Sequence, residues 1–217
     1  IRVLSTLGLT EDDVTAISAI EGVESAIPVY TYDVLTEKDE KQHVIKLMSE
    51  TTDMNKITVI EGRMPQESGE CLADWLLEQN YGYKIGDKIT ISSGDDKAIE
   101  DIVNTQTYTI TGFGKSSYYL DLTRDSSTIG NGSMSGFLII PEDNFTLEAF
   151  TEIDVLVDGA IALDCYSDAY EDAVDEVTQK IKDIAGDRCE IRYAEVVREA
   201  QDAIAEAETE VSDGEQE

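Results

Sequence analysis

The stretch 60–91, IEGRMPQESGECLADWLLEQNYGYKIGDKITI, constrains the fold of this chain more than any other. It begins with a Gly-Arg-x-Pro turn and a Gly-Glu pair, continues as a short apolar helix, and ends where Ile-Gly-Asp opens a strand. Gly62 permits a tight turn, and Pro65 fixes a backbone dihedral. Gly86 and Asp87 supply turn chemistry directly before the strand. Because the stretch holds no nucleophile motif, metal cluster or phosphate loop, we interpret it as a structural unit.

The composition excludes several classes of partner. With 217 residues, 41% of them apolar, the chain can bury a core as one large domain or two small ones. It carries 47 acidic and 16 basic residues, a formal net charge of −31. Such a charge repels polyanions, so we expect no nucleic-acid partner and no direct docking onto anionic lipid. A solvated acidic exterior is the plainer interpretation, and a diffuse cation-binding surface is the alternative.

The N-terminal segment predicts a strand, a helix and a second strand. Residues 2–6 are strand-like, and Thr10 with Asp13 three residues later forms a capping-box pattern that predicts a helix start. The apolar residues that follow share one helical face: Val14, Ile17 and Ile20. We place Gly22 as the C-cap of this helix. Residues 23–35, rich in β-branched and aromatic side chains, predict the second strand.

The C-terminal segment repeats this pattern. A strand is predicted where Ile153, Val155 and Val157 alternate with Asp154, Leu156 and Asp158. A helical stripe follows Ser167 and is closed by Gly186. The stripe consists of Tyr170, Val174, Val177 and Ile181. Residues 189–193 then predict a second short strand. We expect the strands near Val29 and Val155 to share one sheet, with the two helices on the same face.

These units predict an α+β fold. Its base is a split βαβ domain formed by residues 1–47 and 142–193, and residues 48–141 form an inserted, mostly-β lobe. In the lobe we predict strands at 88–92 and 107–113 and a short helix at 74–80. The Ser/Gly-rich segment RDSSTIGNGSMSG, residues 124–136, predicts an exposed, mobile loop. We expect deletion of residues 128–135 to leave the melting temperature nearly unchanged.

The C-terminal residues 194–217 predict the start of a helical stalk or coiled coil. Apolar residues recur there at alternating spacings of three and four: Val197, Ala200, Ile204, Ala207 and Val211. The pattern is unfinished at Glu217, and the chain opens at Ile1 without a methionine or leader. We therefore expect a processed protein or a segment of a larger one.

Candidate chemistry is sparse. The single histidine, His43, has no motif that brings it a serine or cysteine partner, so we expect it to be a surface residue of a strand. We therefore expect a protein without enzymatic activity and without a bound metal or cofactor. The three cysteines are too few for a disulfide framework, although pairing of Cys165 with Cys189 stays open.

Among the aromatic residues, we expect Trp75 to lie in the core. Strand packing explains the Tyr118–Tyr119 pair better than a contact surface does. The candidate partner contacts are Tyr118, Tyr119, Arg124 and Ser133.

The opening stretch resembles the central signature of the extracytoplasmic domain of MacB-like, FtsX-like permeases of ATP-binding-cassette transporters. The residues that match the signature are Gly62, Arg63, Pro65, Gly69, Glu70, Ile85, Gly86 and Asp87. Two further stretches resemble the family in the same order, LTEDDVTAISAIEGVESAIPVY and TYTITGFGKSSYY followed by FLIIPEDNF. The resemblance extends over residues 9–193.

The resemblance implies a non-catalytic domain between two membrane spans that couples cytoplasmic ATP hydrolysis to export or other work outside the cell. It implies a cytoplasmic ATP-binding-cassette ATPase and a second permease copy or paralogue as partners, with an exported peptide or lipid as a further candidate. The implied location is the extracytoplasmic face of the cell membrane, and the predicted stalk favours a Gram-positive bacterium. The alternative is a cell-surface module that binds a ligand or protein through residues 118–136 and has no transport role.

Overall fold

The structure, a computed structural model, describes the backbone of residues 1–51 and 53–214 and the side chains as far as residue 209, Thr52 excepted. Its elements are, in chain order, β1 (Arg2–Leu9), α1 (Glu11–Ser18), β2 (Val23–Val29), β3 (Thr31–Lys38), β4 (Lys41–Ser49), β5 (Ile57–Gly62), β6 (Glu70–Asp74), α2 (Trp75–Tyr81), β7 (Lys88–Ser92), β8 (Thr107–Ser116), β9 (Met134–Ile140), β10 (Phe150–Val157) and α3 (Asp168–Gly214). The fold class is α+β, as predicted.

The chain divides into two compact units. Residues 2–4 and 27–154 form the larger one, which we call the barrel unit. Residues 1, 5–26 and those from 155 onwards form the smaller one, the helical unit. β1, β10 and β2 form a three-stranded sheet in that order, so the strands around Val29 and Val155 share a sheet as predicted.

The barrel unit is built on a seven-stranded sheet with the order β5-β8-β6-β9-β4-β3-β7. β8 also pairs with β7, and this pairing closes six of the strands into a barrel, while β5 joins from outside along β8. Large apolar side chains fill the interior: Ile45, Leu47, Ile89, Tyr108, Phe113 and Leu138. Full burial of each contributes about 1.5–3 kcal/mol, so closure is driven mainly by this core.

The helical unit is held by contacts between α1 and α3. Asp13 connects them, because its Oδ2 accepts a 2.8 Å hydrogen bond from the Thr10 N–H while its Oδ1 accepts one of 2.7 Å from Arg188 Nε. The predicted capping box is therefore present, and its acidic member also binds α3. Ile17 of α1 and Val177 of α3 are buried in this unit.

The largest error of the sequence-based prediction concerns α3. The helix does not end at Gly186, and residues 189–193 continue it instead of forming a strand. One glycine inside a helix costs about 1 kcal/mol, which a long helix of good helix formers tolerates. Ile191 and Tyr193, which were expected in that strand, are 44% and 63% exposed on the helix surface.

The N-terminal segment also differs in detail. α1 ends at Ser18 with Ala19 as its C-cap, and Gly22 lies in the turn beyond. The predicted strand 23–35 is two strands, β2 and β3. β3 and β4 form a hairpin within the seven-stranded sheet, so they do not belong to the predicted base of residues 1–47. Asp39 and Glu40 close this hairpin in the left-handed conformation that its two-residue turn requires.

The Ser/Gly-rich loop is anchored more firmly than predicted. Ile129 is 8% exposed and packs in a small apolar cluster with Val44 and Met134. Residues Ser126 and Ser133 pair as a β-bridge, which holds the loop as a tight hairpin. The expectation of a wholly exposed loop is therefore wrong, and deletion of residues 128–135 would remove Ile129 and Met134 from this cluster. In the predicted stalk, the Val211 side chain and residues 215–217 lie outside the described residues.

We predict that Ile129→Ala lowers the free energy of unfolding of the barrel unit by about 2–4 kcal/mol, because it leaves a cavity beside Val44 and Met134. Thr128→Ala, at the exposed neighbouring position, is the control and should change stability by no more than about 0.5 kcal/mol. Denaturant unfolding followed by fluorescence of Trp75, the single tryptophan, measures both. Equal, small effects of the two substitutions would show that the loop is not part of the core.

Candidate functional site

The matched signature residues gather beside one short segment of β8. β6 pairs with one edge of β8 over residues 109–114, whereas β7 pairs with residues 107–109 and β5 with residues 112–116. Because β6 overlaps both, β7 and β5 must share the opposite edge. That edge changes its partner between Ile110 and Gly112. The two signature turns lie at this junction.

Each turn supplies backbone hydrogen bonds that the junction would otherwise lack. Arg63 N–H donates to the Thr111 carbonyl at 3.0 Å, directly after β5 ends. Gly86 N–H donates to the Ile110 carbonyl at 2.8 Å, and Ile110 N–H donates to the Asp87 carbonyl at 2.9 Å, directly before β7 begins. The turns therefore satisfy the backbone polar groups of β8 where no strand pairs with them.

Gly62 is required at this junction by close approach as well as by conformation. Its φ is +76°, and a Cβ there would lie 2.2 Å from the Thr111 carbonyl oxygen and 2.9 Å from Ile85 Cδ1. The two turns therefore pack directly against each other. Gly86 also has a left-handed backbone, with φ +91°, but a Cβ added there would meet no atom within 4 Å. Asp87 supports its own turn, because its Oδ2 accepts a 3.0 Å hydrogen bond from Lys84 N–H.

Arg63 and Glu70 hold the Gly-Arg-x-Pro turn against the start of β6. The guanidinium binds the carboxylate with two hydrogen bonds, one of them 2.7 Å long, and Glu70 also accepts from Gln66 N–H at 2.9 Å. These hydrogen bonds lower the pKa of Glu70 to about 2, so the pair stays ionised throughout the neutral range. Pro65 lies within the turn that this pair closes, and Gly69 directly precedes Glu70.

The structure brings three of the four candidate partner contacts together. The rings of Tyr118 and Tyr119 meet edge to face with centroids 5.0 Å apart, and the Arg124 guanidinium lies 4.5 Å from the Tyr119 centroid. Both tyrosines are half-buried. Ser133 is exposed and lies in the hairpin that its bridge to Ser126 forms.

Arg124 is committed to a buried ion pair. Its Nε and a terminal nitrogen donate to the two carboxylate oxygens of Asp74 at 2.7 and 3.0 Å, and the side chains are 4% and 0% exposed. Asp74 is also the N-cap of α2, because its Oδ1 accepts from Leu76 N–H at 3.1 Å. Arg124 therefore has a structural role. The sequence did not indicate this role, because Asp74 and Arg124 are 50 residues apart.

A second buried carboxylate cluster was missed entirely. Glu152 and Asp154 in β10 are 2% and 1% exposed, so both carboxyl groups are buried. Asp154 accepts a 2.6 Å hydrogen bond from Asn55 Nδ2. Burial raises the pKa of Glu152 to about 7 and also raises that of Asp154.

The other residues singled out from the sequence form no reaction centre. The His43 ring lies 4.3 Å from that of Tyr81, and burial lowers the pKa of His43. Cys165 and Cys189 are exposed free thiols, so the pairing left open for them is wrong. Trp75 is partly buried, with Lys115 over its ring.

Two further features are absent from the described part of the chain. No group of three or more histidine, cysteine or acidic side chains among the described residues is arranged to hold a metal ion. In the same part of the chain, no helix combines the length and apolarity that crossing a bilayer requires.

Solved structures similar to this chain include an extracellular domain and a periplasmic region. The extracellular domain of the noncanonic ABC-type transporter YknZ from Gram-positive bacteria is 13% identical, with a TM-score of 0.44 and coverage of 84% of this chain and 87% of that one. The periplasmic region of MacB from Actinobacillus actinomycetemcomitans is 13% identical, with a TM-score of 0.43 and coverage of 85% and 76%.

A domain of a protein described as a permease, from Porphyromonas gingivalis, is 19% identical, with a TM-score of 0.37 and coverage of 79% and 77%. No family model matches the sequence, and no curated protein matches it. All three TM-scores lie below 0.5.

We predict that Gly62→Ala destabilises the barrel unit by at least about 3 kcal/mol, since the added Cβ meets the Thr111 carbonyl. Gly86→Ala is the matched control, because it imposes the same left-handed strain, about 1–2 kcal/mol, without a steric clash. Denaturant unfolding followed by Trp75 fluorescence compares them. Equal losses would mean that close packing of the two turns contributes nothing.

Proposed function

We propose that this chain is a non-catalytic extracytoplasmic domain of an ATP-binding-cassette transporter permease, and that it transmits motion driven by cytoplasmic ATP hydrolysis to work or export outside the cell. The resemblance of residues 60–91 to the signature of such domains supports the proposal. The structural role of the matched residues agrees with it, because they brace a barrel and present no reactive group.

α3 is the observation that carries the proposal. It is one helix of 47 residues, which corresponds to a length of roughly 70 Å. Every described side chain from Arg198 to Thr209 is exposed. A helical segment as short as this exposed one is marginal in water without packing, so this part of α3 needs a partner or an attachment outside the described chain. A helix that continues from a membrane span meets that need.

The partners follow from the same proposal. We expect a cytoplasmic ATP-binding-cassette ATPase, reached through the rest of the permease, and a second permease copy or paralogue. Tyr118, Tyr119 and Ser133 remain proposed contacts for a partner or an exported peptide or lipid. Leu120 and Leu122, in the same segment as the tyrosines, are 95% and 68% exposed and extend that surface. The proposed location is the extracytoplasmic face of the cell membrane of a Gram-positive bacterium.

The exposed leucines also favour the alternative, a cell-surface module that binds a ligand or protein and has no transport role. Exposed apolar residues beside aromatic ones are typical of binding surfaces. The full-length gene separates the two functions. Apolar spans of about 20 residues on both sides of this segment are expected for the permease domain and not for the free module.

We predict that Ala203→Pro in the complete transporter reduces export at least about tenfold and leaves basal ATP hydrolysis intact, because proline breaks the exposed part of α3 at a cost of about 3 kcal/mol. Ala203→Ser keeps the helix and is the control. The measurement is export by the transporter reconstituted in vesicles. Unchanged export in the proline variant would remove the mechanical role of α3.

The same substitution must also be made in the 217-residue chain. Because residue 203 is exposed, Ala203→Pro should leave the melting temperature of the barrel unit unchanged there. This result would assign the loss of export to the break in α3 and not to misfolding.

A further inference from the structure

Glu152 is a buried carboxyl group whose hydrogen-bonding capacity is unused. The residue is 2% exposed, and its Oε1 is buried without a hydrogen-bond partner. Its Oε2 lies 3.5 Å from Arg2 Nε, beyond the usual length of a charge-assisted hydrogen bond. A buried carboxylate in such surroundings is costly, whereas a protonated carboxyl group is tolerated.

Four charged groups act on Glu152, and they come from four parts of the chain. Asp154 follows it on β10, Arg2 approaches from β1, Lys46 from β4, and Asp125 from the segment after β8. Burial is the largest cause that raises the pKa of Glu152, and the two acidic neighbours add to it, while Arg2 and Lys46 oppose it. Lys46 already forms a 2.9 Å ion pair with Asp33. Arg2 is therefore the cation that remains available to Glu152.

Arg2 has a competing partner. One of its terminal nitrogens donates a hydrogen bond to the Tyr118 hydroxyl, and its guanidinium lies 5.6 Å from the centroid of the same ring. Tyr118 belongs to the segment 117–123, which also contains the exposed residues Leu120 and Leu122. The Arg2 side chain is 44% exposed, so it has room to change its position.

We propose that Glu152 is a proton-dependent latch for the segment 117–123. While the Glu152 carboxyl is protonated, Arg2 stays on the Tyr118 hydroxyl and holds the segment. When the carboxyl loses its proton to solvent, the carboxylate draws the Arg2 guanidinium into a direct ion pair, and Tyr118 is released. The latch would control the presentation of Leu120 and Leu122, and it does not depend on a role in transport.

The direction of the pH dependence follows from the raised pKa. An unfolded glutamate ionises near its ordinary value of 4.5, whereas Glu152 in the folded chain ionises near 7. The folded state therefore binds a proton between these values, and the stability that this proton provides is lost as the pH rises through about 7. Glu152→Gln keeps the neutral form at every pH and should remove this loss.

Amide hydrogen exchange of the 217-residue chain tests the latch. The backbone N–H groups of Ser117, Tyr118 and Tyr119 all donate hydrogen bonds, so their protection reports on the segment. After correction for the intrinsic pH dependence of exchange, we expect their protection to fall at least about fivefold from pH 6 to pH 8. Circular dichroism confirms that each variant is folded.

Three variants make the test specific. Glu152→Gln should keep the high protection at both pH values, and Tyr118→Phe should show low protection at both because the hydroxyl that Arg2 binds is gone. Glu148→Gln, at an exposed site two residues before β10, is the control and should behave as the wild type. A wild type without pH dependence, a Glu152→Gln variant that keeps it, or a Tyr118→Phe variant identical to the wild type would overturn the proposal. Loss of the pH dependence in Glu148→Gln would overturn it as well.

Discussion

The barrel unit depends on β8, because this strand pairs with three others and closes the barrel. Its edge passes from β7 to β5 over a few residues, and backbone groups at that junction would be unpaired without the signature turns. Gly62 allows the first turn to approach the β8 backbone closely, and the Arg63–Glu70 pair fixes that turn to β6. The tight specification of residues 60–91 is thus explained by barrel closure and not by chemistry.

Elements with strong local signals were predictable from the sequence. The capping box at Thr10, the short helix α2 and the strand β7 are present within about one residue of the predicted limits. The β3–β4 hairpin was missed because its turn uses Asp39 and Glu40, which are weak signals for left-handed conformations compared with Asn-Gly. Residues 189–193 were misjudged because the prediction ended the helix at Gly186, whereas one glycine within a long helix costs only about 1 kcal/mol.

The residues of the candidate site were likewise predictable only where the local sequence carries a signal. The signature residues were identified as structural from their types and order, but their common purpose at β8 required the pairing of strands far apart in sequence. The Arg124–Asp74 pair and the Glu152 cluster were not predictable, since each joins segments separated by tens of residues or more. Among 47 acidic residues, nothing local distinguishes the few that become buried.

The central functional claim is that α3 acts as a rigid rod. The most direct test is an electron-spin distance measurement in the complete transporter, with labels at Asp183 and Ala205 and with the exposed Cys165 and Cys189 replaced by serine. A continuous helix places these positions roughly 33 Å apart. The account predicts one narrow distance distribution at this value, unchanged between the nucleotide-free and ATP-bound states. A shorter or broadened distribution in either state would contradict it.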